Sequence, residues 1–299
     1  MSRKESEMKS FTGIYPALIT PFDENGGINM QAIEQIIESA ITKGVSGFYV
    51  GGSTGESYLL SVEERKQVLE TVVKVVGDRV RIIANIGMFA TEHGISLARH
   101  AQQLGIAAIS SVPPFYFKFN MDEYAAYYSE IADAVSVPMI IYNIPAMSGV
   151  HFGKQDIDRL FRKENIIGMK HTSYDLFQMQ QVIEEHPEKS VFIGHDELLL
   201  SAYAAGARAA IGSTFNFMAE KFIAIENLFK QKKLEEALVI QGQVNSVVEV
   251  LVEIGVFKGI KAALKMQGID CGVCRKPFTP LSEADEKRLA EVLEKTGCL

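Results

Sequence analysis

Residues 166–175 read IIGMKHTSYD, an apolar segment that runs straight into polar residues. Ile166, Ile167, Gly168 and Met169 have the composition of a buried strand, yet the run ends on Lys170, with His171, Thr172 and Ser173 following at once. A strand this apolar on both faces belongs to a parallel sheet covered on both sides, and such a strand comes in a series. The chain supplies the series at residues 14–20, 47–50, 81–86, 107–112, 138–143, 166–170, 191–193 and 209–212, with one amphipathic stretch between each consecutive pair. That alternation predicts parallel strands joined by crossover helices. Eight such units within about 200 residues predict an α/β fold of the (β/α)8 TIM-barrel type.

Local signals support the intervening helices. Ser61-Val62-Glu63-Glu64 is a capping box, and Val62, Leu69, Val72, Val73 and Val76 then share one helical face. Asn120-Met121-Asp122-Glu123 repeats the pattern before a helix over 124–134, and Asn29 is placed to cap one over 30–42. Leu97, Ala98, Ala101 and Leu104 line a face of another. From about residue 218 the alternation stops and only helical patterns follow, at 221–233, 234–253 and 282–295. No Pro- or Gly-rich linker separates these helices from the barrel. They are expected to pack on it as an extension over 218–299 of a single domain spanning 11–299. Residues 1–10, MSRKESEMKS, are polar and charged and are expected to be a disordered leader, unlike a signal peptide. The runner-up is a doubly wound sheet, which would need a phosphate or dinucleotide fingerprint that the sequence lacks.

Composition narrows the function classes. The 299 residues are 47% hydrophobic, enough for a large core. A net charge of −7 with no clustered basic residues argues against a nucleic-acid partner. The stretch between Asp133 and Lys154 has no charged residue but is broken by Pro138, Asn143, Pro145 and Ser148, so it does not read as a membrane span. Three cysteines fit a reducing cytoplasm better than a disulfide framework. Cys271 and Cys274 form a C-x-x-C, but no second pair completes a zinc site, and two free thiols are the simpler expectation.

In a barrel of this type function gathers at the C-terminal ends of the strands. Five of the eight ends carry reactive or hydrogen-bonding groups: Gly51–Glu56 (GGSTGE), Tyr142–Pro145 (YNIP), Lys170–Thr172 (KHT), Gly194–Glu197 (GHDE) and Gly212–Thr214 (GST). A strand-end lysine either snorkels to solvent or works in the pocket. Among apolar and small neighbours, desolvation favours the free amine, the nucleophile of Schiff-base chemistry. Tyr142, on the adjacent strand, is a candidate proton relay. The Gly51–Glu56 loop matches G-x-S-x-G, which admits Ser53 as a nucleophile, but its hydroxyls and flexible backbone suit a carboxylate cradle better. Asp196 and Glu197 lack partners for a metal site and suit a hydroxyl-rich substrate as acceptors.

Taken together, "GGSTGE", "YNIPAMSGV", "GMKHTSYDL", "GHDE", "IGSTFN", "GVFKGIKAAL" and "CRKPF" resemble the N-acetylneuraminate lyase family, within the dihydrodipicolinate-synthase-like group of class I aldolases. The resemblance runs from about Gly13 to Pro280. It implies a homotetrameric (β/α)8 barrel with no metal or organic cofactor. It implies that Lys170 forms an imine with pyruvate or an open-chain keto sugar acid, that Tyr142 shuttles the proton, and that Ser53 and Thr54 hold the carboxylate. Tyr116 matches an aromatic position near the site, and Thr172, Gly194, Asp196, Glu197, Gly212 and Ser213 would line the sugar pocket. The sister synthase typically carries an arginine where Met147 stands, and methionine cannot pair with a carboxylate. Tyr174 departs from the small residue common in the lyases and is expected to narrow the pocket. Competing readings are a serine hydrolase at Ser53 with His171 or His195 as base, a non-catalytic sialic-acid or pyruvate sensor, and an aldolase for another 2-keto-3-deoxy acid.

Overall fold

Strand pairing in the computed structural model, which describes residues 11–299, runs in the order β1-β8-β7-β6-β5-β4-β3-β2, every neighbour parallel. The strands are β1 Gly13–Pro16, β2 Gly47–Val50, β3 Arg81–Asn85, β4 Ala108–Ser111, β5 Met139–Asn143, β6 Ile166–His171, β7 Ser190–Ile193 and β8 Ala209–Gly212. The first and last members of that order meet through a parallel bridge between Ala17 and Tyr49, with the Leu18 amide donating to the Tyr49 carbonyl at 2.9 Å. The eight strands therefore close into a barrel, as the sequence predicts. The leader expected at residues 1–10 lies outside the described residues.

Alternation along the strands makes two apolar layers. Tyr15, Tyr49, Ile83, Ile140, Tyr142, Phe192 and Ile211 fill the barrel interior. Ile14, Phe48, Ile82, Ile109, Ile141, Met169 and Ile193 face outward into the helical layer. Helix α1, Met30–Lys43, starts where Asn29 accepts from the Ala32 amide at 3.0 Å and stops at Gly44, whose φ of 94° only glycine adopts without strain. Helix α2, Val62–Val76, has the predicted capping box, with Ser61 and Glu64 bonded reciprocally at 3.1 and 2.8 Å, and buries Val68, Leu69, Val72 and Val76. Such caps are each worth about 1 kcal/mol. Helices α3, Thr91–Gln103, and α4, Met121–Asp133, follow, α4 with its own capping box at Asn120. The remaining crossovers are α5, Pro145–Ser148, and α6, Lys154–Phe161, between β5 and β6, then α7, Leu176–Glu185, and α8, Leu199–Ala204.

The C-terminal extension differs in detail from expectation. Helix α9 begins at Phe215 rather than 221, because it follows β8 directly and absorbs a non-helical residue at Met218. It ends at Lys230, and the chain turns through Lys232 at φ 63°. Helices α10, Leu234–Ile254, α11, Val256–Met266, and α12, Glu283–Thr296, complete the chain. Residues 267–281 form an irregular connection, so this region is not purely helical as the pattern suggests. Helix α10 is long and apolar enough to cross a membrane by length and composition, with mean hydropathy 1.4. It nevertheless packs on α9 and α12 with Ala237, Val244, Val247 and Leu251 fully buried. Cys271, Cys274 and Cys298 are buried and free, and burial pushes the Cys271 and Cys274 thiols up to about 12.

Candidate active site

The parity of β6 settles the question its sequence raises. Met169 packs outward, so Gly168 and Lys170 point into the barrel, in register with Ile140 and Tyr142 of β5. Lys170 is 4% exposed. It does not snorkel away: its ammonium lies 4.1 Å from the centroid of the Tyr142 ring and 4.6 Å from that of Tyr49. The two phenols meet edge to face, 6.0 Å apart at 86°. Tyr49 is fully buried, accepts from Asn85 Nδ2 at 3.0 Å and donates to Ser110 Oγ at 3.1 Å. Burial, reinforced by Tyr142, holds its phenol well above the ordinary value. Tyr49 is not among the residues the sequence motifs single out, because it lies within β2 and not in the loop that follows it. The available signal was its inward parity, two residues before Gly51.

The loop after β2 forms a short 3-10 turn over Ser53–Gly55, and the α-helix that follows begins at Val62. Thr54 Oγ1 lies 2.7 Å from Ser213 Oγ, which joins this loop to the one after β8. The Gly55 carbonyl accepts from Thr20 Oγ1 at 2.7 Å. Glu56 then takes a left-handed conformation at φ 55°. Its Oε1 faces Lys261 Nζ of α11 at 2.8 Å, off the line of a good hydrogen bond, and its Oε2 accepts from the Arg275 amide at 2.7 Å. The Arg275 side chain pairs with Glu64. These contacts bolt the hydroxyl-bearing loop to the C-terminal extension, a link the sequence motifs contained but did not explain.

On the other side of Lys170 the loops after β6, β7 and β8 converge. The Thr172 amide donates to the Asn143 carbonyl at 2.8 Å, but Thr172 Oγ1 is buried with no partner among the described residues. A side chain at Gly194 would collide with that hydroxyl and stand 3.1 Å from Lys170 Cε, and one at Gly212 would collide with Asp196 Oδ1. Both glycines are there because neighbouring groups need the space. Asp196 sits in a 3-10 turn and is buried, its Oδ2 accepting from the Thr214 amide at 2.8 Å and hydroxyl at 2.7 Å. Burial pushes its carboxyl up to about 6, against the pull of the Thr214 bonds. The adjacent Glu197 diverges, accepting from Tyr174 Oη at 3.0 Å and facing His195 Nδ1 at 3.1 Å. Burial opposes its charge, but the His195 bond outweighs it with other hydrogen bonds and leaves the carboxyl below its usual value.

His171 is not available as a base for Ser53. Its Nε2 lies 3.0 Å from the Asp175 carbonyl and so donates, leaving Nδ1 to accept from Asn143 Nδ2 at 3.4 Å. Burial lowers its pKa, so the neutral ring persists. Tyr116 is 77% exposed, in an aromatic row with Phe89 and Phe117 on the loops after β3 and β4. Met147 is exposed on α5. Among the described residues, Asp158, Glu185 and His186 lie close enough to share a cation, but Lys154 already bonds both Asp158 and Glu185, at 3.1 and 2.6 Å.

The model of the dihydrodipicolinate synthetase family matches residues 10–296. An N-acetylneuraminate lyase of Rhizobium meliloti (strain 1021) is 40% identical over 281 residues, 94% of each chain. The crystal structure of CdNal from Clostridium difficile, in complex with mannosamine, superposes with a TM-score of 0.93 at 36% identity, covering 96% of this chain and 99% of that one. The N-acetylneuraminate lyase of Fusobacterium nucleatum complexed with pyruvate gives 0.92 at 37% identity, covering 97% and 99%.

Proposed function

The chain belongs to the dihydrodipicolinate synthetase family, and from that membership we propose that it is a pyruvate-dependent class I aldolase, an N-acetylneuraminate lyase. The observation that carries the reading is the buried Lys170 Nζ beside two phenol rings at the C-terminal mouth of the barrel. The Lys170 amine adds to the C2 carbonyl of the open-chain keto acid, and water leaves as the imine forms. Tyr142, left as phenolate once its proton has gone to the departing water, takes the proton of the C4 hydroxyl while the protonated imine draws the electron pair of the breaking C3–C4 bond. N-acetylmannosamine departs as the aldehyde. The enamine left on Lys170 is protonated at C3, and water hydrolyses the resulting imine to release pyruvate. The imine is itself the electron sink, so this chemistry requires no cofactor.

Ser53 and Thr54 hold the carboxylate with their hydroxyls. Thr172 Oγ1, buried without a partner among the described residues, takes a substrate hydroxyl in place of the missing bond. Gly194, Asp196, Glu197, Gly212 and Ser213 complete the sugar pocket. The sister synthase activity is disfavoured by Met147, which offers no charge to a second carboxylate. In the proposed cytoplasmic homotetramer, the exposed row of Tyr58, Phe89, Tyr116 and Phe117 is covered by a second copy, and light scattering is expected to return four times 33.0 kDa, a single 33.0 kDa species overturning that assembly.

The test of function is pyruvate release from a panel of keto acids. N-acetylneuraminate is expected to give equimolar pyruvate and N-acetylmannosamine at the highest kcat/KM. Faster cleavage of another 2-keto-3-deoxy acid replaces the substrate but keeps the chemistry. Binding without release from any of them sinks the aldolase reading in favour of a sensor.

A further inference from the structure

Three side chains tie the loop after β6 to the loop after β7 at the mouth of the barrel. Tyr174 is 70% exposed, yet it is held twice. Its hydroxyl donates to Glu197 Oε1 at 3.0 Å, and its ring stacks on His195 at 4.3 Å with 21° between the planes. His195 Nδ1 lies 3.1 Å from the same Oε1. An exposed tyrosine would ordinarily sample several rotamers, and fixing it costs entropy that these contacts must outweigh. One oxygen of the Glu197 carboxylate therefore has two partners that fix its direction, and Oε2 is required by neither. Tyr174 is four residues beyond Lys170, and Glu197 adjoins Asp196, which lies near enough to Lys170 to feel its charge, so the clamp sits at the barrel mouth beside the imine-forming amine.

We propose that Tyr174, flat against His195, positions Glu197 as the far wall of the site and so selects 2-keto-3-deoxy acids whose hydroxylated tail is long enough to reach it. The inference rests on the aldolase reading above and assigns the tail-length preference to a residue beyond those named for the sugar pocket. A carboxylate already held by two protein groups meets a ligand hydroxyl without a further ordering cost, which favours substrates that reach it over those that do not. Tyr174 acts here through Glu197 and is a positioning residue.

The experiment measures kcat and KM separately for nine-carbon N-acetylneuraminate and for a six-carbon 2-keto-3-deoxy acid. Tyr174→Phe keeps the stack and loses the hydroxyl, and Tyr174→Gly loses both. Tyr174→Phe is expected to raise KM for the nine-carbon acid roughly five- to tenfold, the loss of about one hydrogen bond, with kcat and the six-carbon KM moving far less. Tyr174→Gly is expected to do so at least as strongly. Combined with Glu197→Gln, Tyr174→Phe is expected to add less than its separate effect, because the two residues act as a unit. Equal losses on both acids, or no loss on the longer one, overturn the inference. If the wild type cleaves the six-carbon acid and not N-acetylneuraminate, the choice of sugar acid fails. The inference is then judged by the same ratio on the longest-tailed acid that the wild type does cleave. No pyruvate release from any acid overturns both.

Discussion

Lys170 and Tyr142 are register partners on adjacent parallel strands, with the lysine ammonium 4.1 Å from the centroid of the phenol ring. Strand pairing fixes this relation, so it does not depend on a mobile loop. Tyr142→Phe keeps the ring and the packing and removes only the hydroxyl. Turnover is expected to fall on the order of 10²–10⁴-fold, the usual worth of a positioned proton relay, with the urea midpoint unchanged. Undiminished turnover would reject the relay.

Thr172 Oγ1 is buried and has no hydrogen-bond partner among the described residues. Thr172→Val replaces it at nearly constant shape, so thermal stability should hold or rise slightly. Cleavage efficiency is expected to drop about tenfold, the value of one hydrogen bond to a substrate hydroxyl. A variant that loses stability and keeps full efficiency would show that the hydroxyl serves the fold.

The barrel was legible in the sequence because its strands are buried on both faces and so read as separate apolar runs; 47–50 and 209–212 coincide with β2 and β8. Lys170 and Tyr142 were legible as strand-end residues of unusual chemistry. What could not be read were relations between distant segments. Tyr49 joins the lysine through inward parity, and Glu56 reaches Lys261 across more than two hundred residues. Asp196 and Glu197 are neighbours in sequence, yet one turns to Thr214 and the other to Tyr174. That divergence depends on a 3-10 turn with no signature beyond its acidic residues.

Asp196 gives a pH signature. Burial pushes its carboxyl up to about 6 in the folded protein, against about 3.9 in an unfolded chain. Between these values the native state keeps a proton the unfolded state has lost, so stability falls as pH rises through the window and is flat above it. The group accounts for roughly 3 kcal/mol of that fall. Asp196→Asn has no such titration and retains an acceptor for the Thr214 amide. Denaturation from pH 4 to pH 7 should therefore show the wild type losing stability relative to Asp196→Asn. A constant difference across the range would contradict the assignment.

The Glu56–Lys261 pair is almost completely buried, with side-chain exposures of 0% and 3%. Lys261→Met leaves the Glu56 carboxylate uncompensated in the interior, which costs about 3–5 kcal/mol. The urea midpoint should drop accordingly, and Glu56→Gln combined with Lys261→Met should recover part of the loss. Lys261→Met with wild-type stability would mean that the pair does not hold the cradle loop in its left-handed turn.

Imine formation at Lys170 can be read out by reductive trapping. Pyruvate with borohydride is expected to leave one stable adduct, located by peptide mass on the tryptic fragment containing Lys170, and Lys170→Ala should abolish it. An adduct on a different lysine, or none on the wild type, would contradict the Schiff-base account.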